Sequence, residues 1–477
     1  MQAESYKIAD LQQPPAPNTE DSIGANRIAF QPLHMRIALL SDSFSPHAGG
    51  SREYYHNIYQ NLSALGDSEV TVLTKKVPGW EEFDRKQSSP VYCIHRRFKP
   101  LSSWKYKELP KAIFPFLQTI WHLSLGIPDV LHAGDLYPPG LTAMMLKKIW
   151  GIPYLVYCHG EEITQTDRFR FQPKVRDWIY KNADLVVANS DFARQNLLRI
   201  GVDDRRIHKI TPGVDASRFA AGPRSVDLQK RFGIEDKIVV LTVARLVPRK
   251  GHRVAIEAFA KICRKIPTAH YLIVGTGPEE ARLRFMVKEA AIEDRVTFAG
   301  FVPSEELPDI YNLCDVMLMA NRQEENGDVE GFGIVFLEAN AAGKPVIGGR
   351  SGGAVEAVAD GLTGFLVNPD DPEELAGVLV RLLQDRGLRT KLGTAGADRV
   401  RTDFNWRSRA ETLRELNRRI IKLRGHKVNI ENGCVKHSKL RISEDLTRRD
   451  STRREDSQET SPDLGTSGTG IGANRTK

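Results

Sequence analysis

Two stretches of this chain repeat one plan, and that plan leaves few folds open. From residue 35 the run Met35-Arg36-Ile37-Ala38-Leu39-Leu40 is almost wholly apolar. A loop with Pro46, Gly49 and Gly50 follows, then a helical pattern over 52–64, then Gly66 and a second apolar run at 70–74. From residue 238 the order returns: an apolar run at 238–244, a loop with Arg245, Pro248, Lys250 and Gly251, a helical pattern over 254–263, and an apolar run at 271–274. Strands without polar alternation are buried on both faces, and a strand–loop–helix–strand order builds parallel sheets covered by helices. Between the two stretches, residues 218–235 are polar, as an interdomain linker is. The expected fold class is α/β, built on a parallel sheet. Ligands of such sheets sit at the carboxyl ends of the strands.

Composition agrees. The 477 residues suffice for two or three domains, and 41% hydrophobic with 27% charged residues is the balance of a globular protein. No run of about 18 residues lacks polar interruption, so no membrane-spanning helix is expected. Residues 1–34 include Gln12-Gln13-Pro14-Pro15-Ala16-Pro17-Asn18 and have no apolar centre of a signal peptide. They read as a disordered extension, with Met35 as an alternative start, and the Ser-, Thr-, Arg- and Gly-rich residues 425–477 read as a disordered tail. Five scattered cysteines, none in Cys-x-x-Cys, argue against a disulfide framework or zinc site and for a reducing cytoplasm. A net charge of +8 suits phosphorylated ligands, an anionic membrane or nucleic acid, and no nucleic-acid motif singles out the last.

The chemistry concentrates in Glu330-Gly331-Phe332-Gly333-Ile334-Val335-Phe336-Leu337-Glu338, which leads to Gly343. The glycines allow close approach of backbone to a ligand, and the apolar run behind them reads as a helix ending at Gly343. Such a junction offers unpaired N–H groups and a positive dipole end to an anion. Glu330 lies on the loop and Glu338 over a turn into the helix, where the two can reach different parts of one molecule. Arg245 and Lys250 flank another strand-to-helix loop, and together they suit a diphosphate. Gly49 and Gly50 offer backbone amides in the first domain. His159 follows the run 154–158, at a strand's carboxyl end, where a neutral imidazole can donate to a sugar hydroxyl. Gly275-Thr276-Gly277 begins a dinucleotide fingerprint, but Glu280 stands at the third glycine position, which excludes NAD binding. The segment from Trp104 to Trp121 mixes Lys105, Lys107 and Lys111 with aromatic and aliphatic residues. It fits a core helix with a basic rim, broken at Pro110 and Pro115, and it also fits contact with an anionic membrane.

The stretch from Glu330 to Glu338 resembles the Glu-x7-Glu signature of the family 4 (group 1) retaining glycosyltransferases of GT-B fold. The likeness continues through Lys344-Pro345-Val346-Ile347, Gly352-Gly353, Glu356 and Asp360-Gly361-Leu362-Thr363-Gly364-Phe365-Leu366-Val367. In character it is nearest the phosphatidylinositol mannosyltransferase-like enzymes. The resemblance spans about residues 36–424 and implies two Rossmann-like domains facing a cleft. These would be an acceptor-side domain over 35–215, a nucleotide-sugar-binding domain over 216–404, and a helix over 405–424 crossing back to the first.

The resemblance further implies transfer of a hexosyl group from GDP-mannose or a UDP-sugar to a glycan or lipid-linked acceptor, with retention. It implies neither cofactor nor metal. It carries over His159 and Glu330 as catalytic residues. As donor-binding residues it carries over Gly50, Arg245, Lys250, Val302, Glu330, Gly331, Phe332, Gly333, Ile334 and Glu338. In that scheme Glu330 holds sugar hydroxyls, Glu338 the ribose and the backbone near Val302 the base. Arg245 and Lys250 take the diphosphate in place of a divalent ion, no Asp-x-Asp being present. The expected place is the cytoplasm, peripheral at the inner membrane face. Two departures stand out: Gly66-Asp67 where the family often has Gly-His, and Ala244 where it has Gly. A glycan phosphorylase with a lysine-bound pyridoxal group, or a non-catalytic sugar-nucleotide binder, would share the fold.

Overall fold

The computed structural model describes residues 34–46, 49–97, 109–124, 126–166 and 172–431. Of the extension expected at 1–34, residues 1–33 lie outside them, as do residues 98–108 and the part of the tail expected at 425–477 that follows 431.

The first sheet holds β1 (Met35–Leu40), β2 (Ser68–Lys75), β3 (Tyr92–Arg97), β4 (Val130–Ala133), β5 (Tyr154–Cys158), β6 (Leu185–Ala188) and β7 (Ile207–Lys209). Its seven strands are parallel, in the order β3-β2-β1-β4-β5-β6-β7. The second sheet holds β8 (Ile238–Val243), β9 (Ala269–Val274), β10 (Val296–Gly300), β11 (Val316–Met319), β12 (Val346–Gly349) and β13 (Gly364–Val367). Its six strands are also parallel, in the order β10-β9-β8-β11-β12-β13. Every residue of β4, β5, β6, β9, β11 and β12 is buried, as helix-covered parallel strands require. Each fully buried Val, Leu or Ile there contributes about 1.5–3 kcal/mol through removal from water.

In each sheet the strand order reverses beside the first strand, β1 or β8. Successive loops diverge at such a point and open a crevice at the carboxyl edge. The loops after β1 and β8 are those that carry Gly50 and the Arg245–Lys250 pair.

The helix Gly50–Ser63 turns Tyr54, Tyr55, Ile58, Tyr59 and Leu62 onto the first sheet. The final helix, Trp406–Glu431, crosses to the same core and buries Trp406, Ala410, Leu413, Leu416 and Ile420 in it. It continues past residue 424, where the sequence pattern placed its end. Polar contacts fix its seat. His132 Nε2 meets Asn417 Oδ1 at 2.8 Å, and Arg418 Nη2 lies 2.5 Å from Asp67 Oδ2. The departure at Asp67 thus has a partner on the crossing helix.

The helix Leu109–Ser124 runs through Pro115, where the sequence pattern placed a break. Phe116 and Ile120 pack on the core, whereas Leu117 and Trp121 face solvent. Among the described residues no helix is long and apolar enough to cross a membrane.

Candidate active site

Gly333 caps the helix Ile334–Ala341 from the left-handed region, with φ 90°, where an L side chain is strained. The helix stops at Gly343 (φ 68°), as the sequence pattern predicts. Gly331 is needed for another reason: a Cβ there would stand 2.5 Å from the His159 carbonyl oxygen and 3.2 Å from Asn189 Nδ2. The two expected site segments therefore touch, one from each sheet. Phe332 buries its ring against Phe404, with centroids 6.0 Å apart, so its ring is a core element. Ile334 is half-buried at the first turn, and Val302 packs into the core just after β10.

The short turn Pro248–Lys250 brings Arg249 and Lys250 together on Glu330. Arg249 Nη1 donates to Glu330 Oε2 at 3.0 Å, and Lys250 Nζ donates to the same oxygen. Arg249 Nε also pairs with Asp328 at 3.3 Å, and its Nη1 reaches the Val329 carbonyl at 3.1 Å. Glu330 Oε1 has no hydrogen-bond partner among the described residues. Burial works against the Glu330 carboxylate, but Lys250 and Arg249 outweigh it and hold its pKa below the usual carboxyl range. Burial pushes Lys250 down despite Glu330. Arg245 is exposed and has no ion-pair partner among the described residues. The expected cation pair thus differs in its partners: Lys250 is engaged by Glu330, whereas Arg245 is exposed and acts on both only through its charge.

Glu338 takes the opposite shift. Burial raises its pKa to about 7, although Tyr311 donates to its Oε2 at 2.6 Å. Its other oxygen has no partner among the described residues.

His159 sits in a continuous donor chain. Ser190 Oγ donates to Asn189 Oδ1 at 3.0 Å, and Asn189 Nδ2 donates to His159 Nδ1 at 3.2 Å. His159 Nε2 meets Tyr55 Oη at 2.7 Å, and Tyr55 donates to the Gly134 carbonyl. Only one tautomer satisfies every member: neutral imidazole with the proton on Nε2. Burial keeps it neutral against the pull of Glu161 and Asp135. The proton expected to serve a sugar hydroxyl is therefore given to Tyr55. Gly50 opens the 50–63 helix with clear space around its Cα. The loop before it is tied down by Asp135, whose Oδ2 accepts from Ser41 Oγ at 2.7 Å and Asp42 N at 2.7 Å.

Arg249, Asn189, Tyr55, Tyr311 and Asp135 were not among the predicted site residues. Ser190 caps the helix Asp191–Arg199, accepting from Ala193 N at 3.2 Å and leaving Asn189 for the imidazole.

Residues 48–218 match Glycosyltransferase Family 4, and residues 226–399 match Glycosyl transferases group 1. The chain belongs to the group 1, family 4 glycosyltransferases. This glycosyltransferase is 31% identical over 387 residues to the GDP-mannose-dependent alpha-(1-6)-phosphatidylinositol monomannoside mannosyltransferase of Mycolicibacterium smegmatis; the match spans 80% of this chain and 97% of that one. In structure it is similar to sucrose-phosphate synthase of Thermosynechococcus elongatus, with TM-score 0.69 and 25% identity, over 82% of this chain and 100% of that one. It also resembles HepE of Anabaena, solved with UDP and glucose, with TM-score 0.67 and 21% identity, over 80% and 99% of the two chains. The fold of this glycosyltransferase is GT-B: two Rossmann-like parallel-sheet halves with the final helix returning to the first.

Proposed function

We propose that this glycosyltransferase moves a mannosyl group from GDP-mannose to a hydroxyl of a lipid-linked glycan acceptor, with retention and without a metal ion. The reading rests above all on the Glu330 cluster. Two cations crowd one carboxylate oxygen and leave the other for sugar hydroxyls, at the mouth of a helix whose first amides attract the diphosphate. Arg245, unpaired, supplies a second cation for that diphosphate, and its planar fork suits phosphate oxygens. Glu338 takes the ribose hydroxyls, and the backbone at Val302 takes the base. The bond between C1 and the diphosphate oxygen breaks, a bond from C1 to the acceptor oxygen forms, and the acceptor proton passes to the leaving diphosphate on the same face. Developing charge on that diphosphate is met by Lys250, Arg245 and the amides of 331–334. His159, held neutral, shapes the acceptor side against Gly331. The choice of donor follows the mycobacterial relative.

A thermal-shift panel tests the donor. GDP-mannose at about 100 times its dissociation constant adds about 2.7 kcal/mol of stability, whereas UDP-glucose and UDP-N-acetylglucosamine add little. A shift with the uridine nucleotides alone overturns the donor assignment. Loss of turnover in a chelator overturns metal independence, and an inverted anomeric proton signal in the product overturns retention.

The lipid acceptor has separate support. Leu117 and Trp121, Ile149 of the helix Leu141–Trp150, and Trp178 of the helix Gln172–Asn182 are exposed by 54, 62, 60 and 45%. All three helices cover one face of the first sheet. Lys148 lies over the Trp178 ring at 4.3 Å, so cations border this apolar surface as anionic lipid requires. Co-sedimentation with phosphatidylinositol-containing vesicles is expected for the wild type and strongly reduced for Trp121→Ser/Trp178→Ser. Equal sedimentation of the two would remove the membrane contact.

A further inference from the structure

We propose that the second half carries a separate ligand site, behind the diphosphate loop, for a phosphate group that also presents a hydroxyl, whether free phosphate or a phosphomonoester. A cavity of about 160 Å³ is lined there by His252, Arg253, Glu279, Arg282, Arg322 and Glu324. None of Arg245, Lys250, Glu330 and Glu338 lines it. The decisive residue is His252. Its side chain belongs to a residue only 3% exposed, and both ring nitrogens lack a hydrogen-bond partner. Buried polar groups are almost always paired, so such a ring marks a place where something polar belongs. Burial, aided by Lys250, lowers its pKa to about 3 and keeps it neutral. A neutral imidazole shows one N–H and one lone pair. The ligand that satisfies both brings acceptor oxygens and an O–H.

The charges specify the rest. Glu279 is matched by Arg282 at 3.6 Å, and Glu324 by Arg322 at 3.0 Å. Asp370 takes the other end of Arg322 at 2.6 Å. Arg253 is exposed and has no ion-pair partner among the described residues. The helix His252–Ile262 begins at this wall without a side-chain cap, so its first amides add to the anion's welcome. A cation, uncapped amides and an unpartnered imidazole together fit a phosphate group. The remaining hydroxyl requirement is met by hydrogenphosphate or by a sugar phosphate.

Titration of the full chain with inorganic phosphate and, separately, with mannose 6-phosphate tests the site, read by thermal shift and calorimetry. Both are expected to bind the wild type and Arg245→Glu alike, which separates this cavity from the donor diphosphate site. Binding is expected to weaken at least tenfold in His252→Phe and in Arg253→Glu. Tighter binding of the sugar phosphate identifies an organic phosphomonoester as the occupant, and equal binding identifies inorganic phosphate. The proposal is overturned if neither ligand binds at tens of millimolar, or if Arg245→Glu abolishes binding that Arg253→Glu retains. Arg253 is exposed, so its variant decides the matter even where His252→Phe does not fold.

Discussion

Glu330 and Glu338 stand eight residues apart on one turn-and-helix unit, and their environments drive them in opposite directions. Folding raises the proton affinity of Glu338, so its contribution to stability is complete below the ordinary carboxyl range and is lost as pH climbs through about 7. Glu338→Gln should therefore match the wild type in urea melts at pH 4 and exceed it at pH 8, by about 1–2 kcal/mol. Donor binding has the reverse slope, because the ionised carboxylate is the better acceptor for ribose hydroxyls. Affinity for an intact nucleotide-sugar should rise between pH 6 and pH 8 in the wild type and stay flat and weak, roughly 10²-fold lower, in Glu338→Gln. Glu330 contributes stability above the ordinary carboxyl range, and that contribution is lost as pH falls through its lowered value. Removing Arg249 takes a buried cation from two carboxylates at once, leaving Glu330 with Lys250 alone and Asp328 with only the neutral Gln165 amide. Arg249→Leu should cost about 3 kcal/mol in chemical denaturation, and Glu330→Leu in the same chain should recover part of it. The sequence pattern singled out both carboxylates. It missed Arg249 because nothing in a run of basic residues says which one a short turn will throw inward.

At the scale of elements, the strands were largely legible, since runs such as 154–158 and 238–241 are apolar without interruption. The 334–341 helix was legible for the same reason, together with its bracketing glycines. The crossing helix was legible as a helix but not in its attachments. Its link to His132 joins residues 285 positions apart, and no local pattern records that. His132 is neutral, its pKa lowered by burial to about 4, and it gives Asn417 a proton while Tyr59 meets its Nδ1 at 2.5 Å. Asn417→Leu leaves that N–H buried and unpaired, and a loss of about 1–3 kcal/mol in urea melts is expected. Leu413→Ala, which opens a hole in the same seam, should cost about 2–5 kcal/mol. The 109–124 helix shows the limit of reading breaks from proline alone: packing of Phe116 and Ile120 carries the helix through Pro115.

Across the whole molecule, the halves meet through a few specific contacts. Thr164 Oγ1 donates to the Gly327 carbonyl at 2.6 Å, and Gln165 Nε2 donates to Asp328 at 2.9 Å. The Glu356 carboxylate accepts from Asp191 N, at the start of the helix Asp191–Arg199, and from Lys209 at 3.1 Å. Gly327 has φ 81°, and a Cβ there would run into the Thr164 carbonyl. Gly327→Ala and Glu356→Ala should both enlarge the radius of gyration in solution scattering and weaken donor binding, while each half keeps its helical signal. None of these pairings was visible in the sequence, because each needs both sheets built first. The passage between halves is equally economical. Val214 N donates to the Phe404 carbonyl at 2.9 Å, so the outgoing and returning chain lie side by side. Gly213 fits there only for want of a side chain, a Cβ falling 2.8 Å from the Trp406 ring. Two crossings bound together at one spot share one tolerance: a side chain at position 213 would press on the Trp406 ring and the Phe404 carbonyl together, disturbing the outgoing and the returning chain at once.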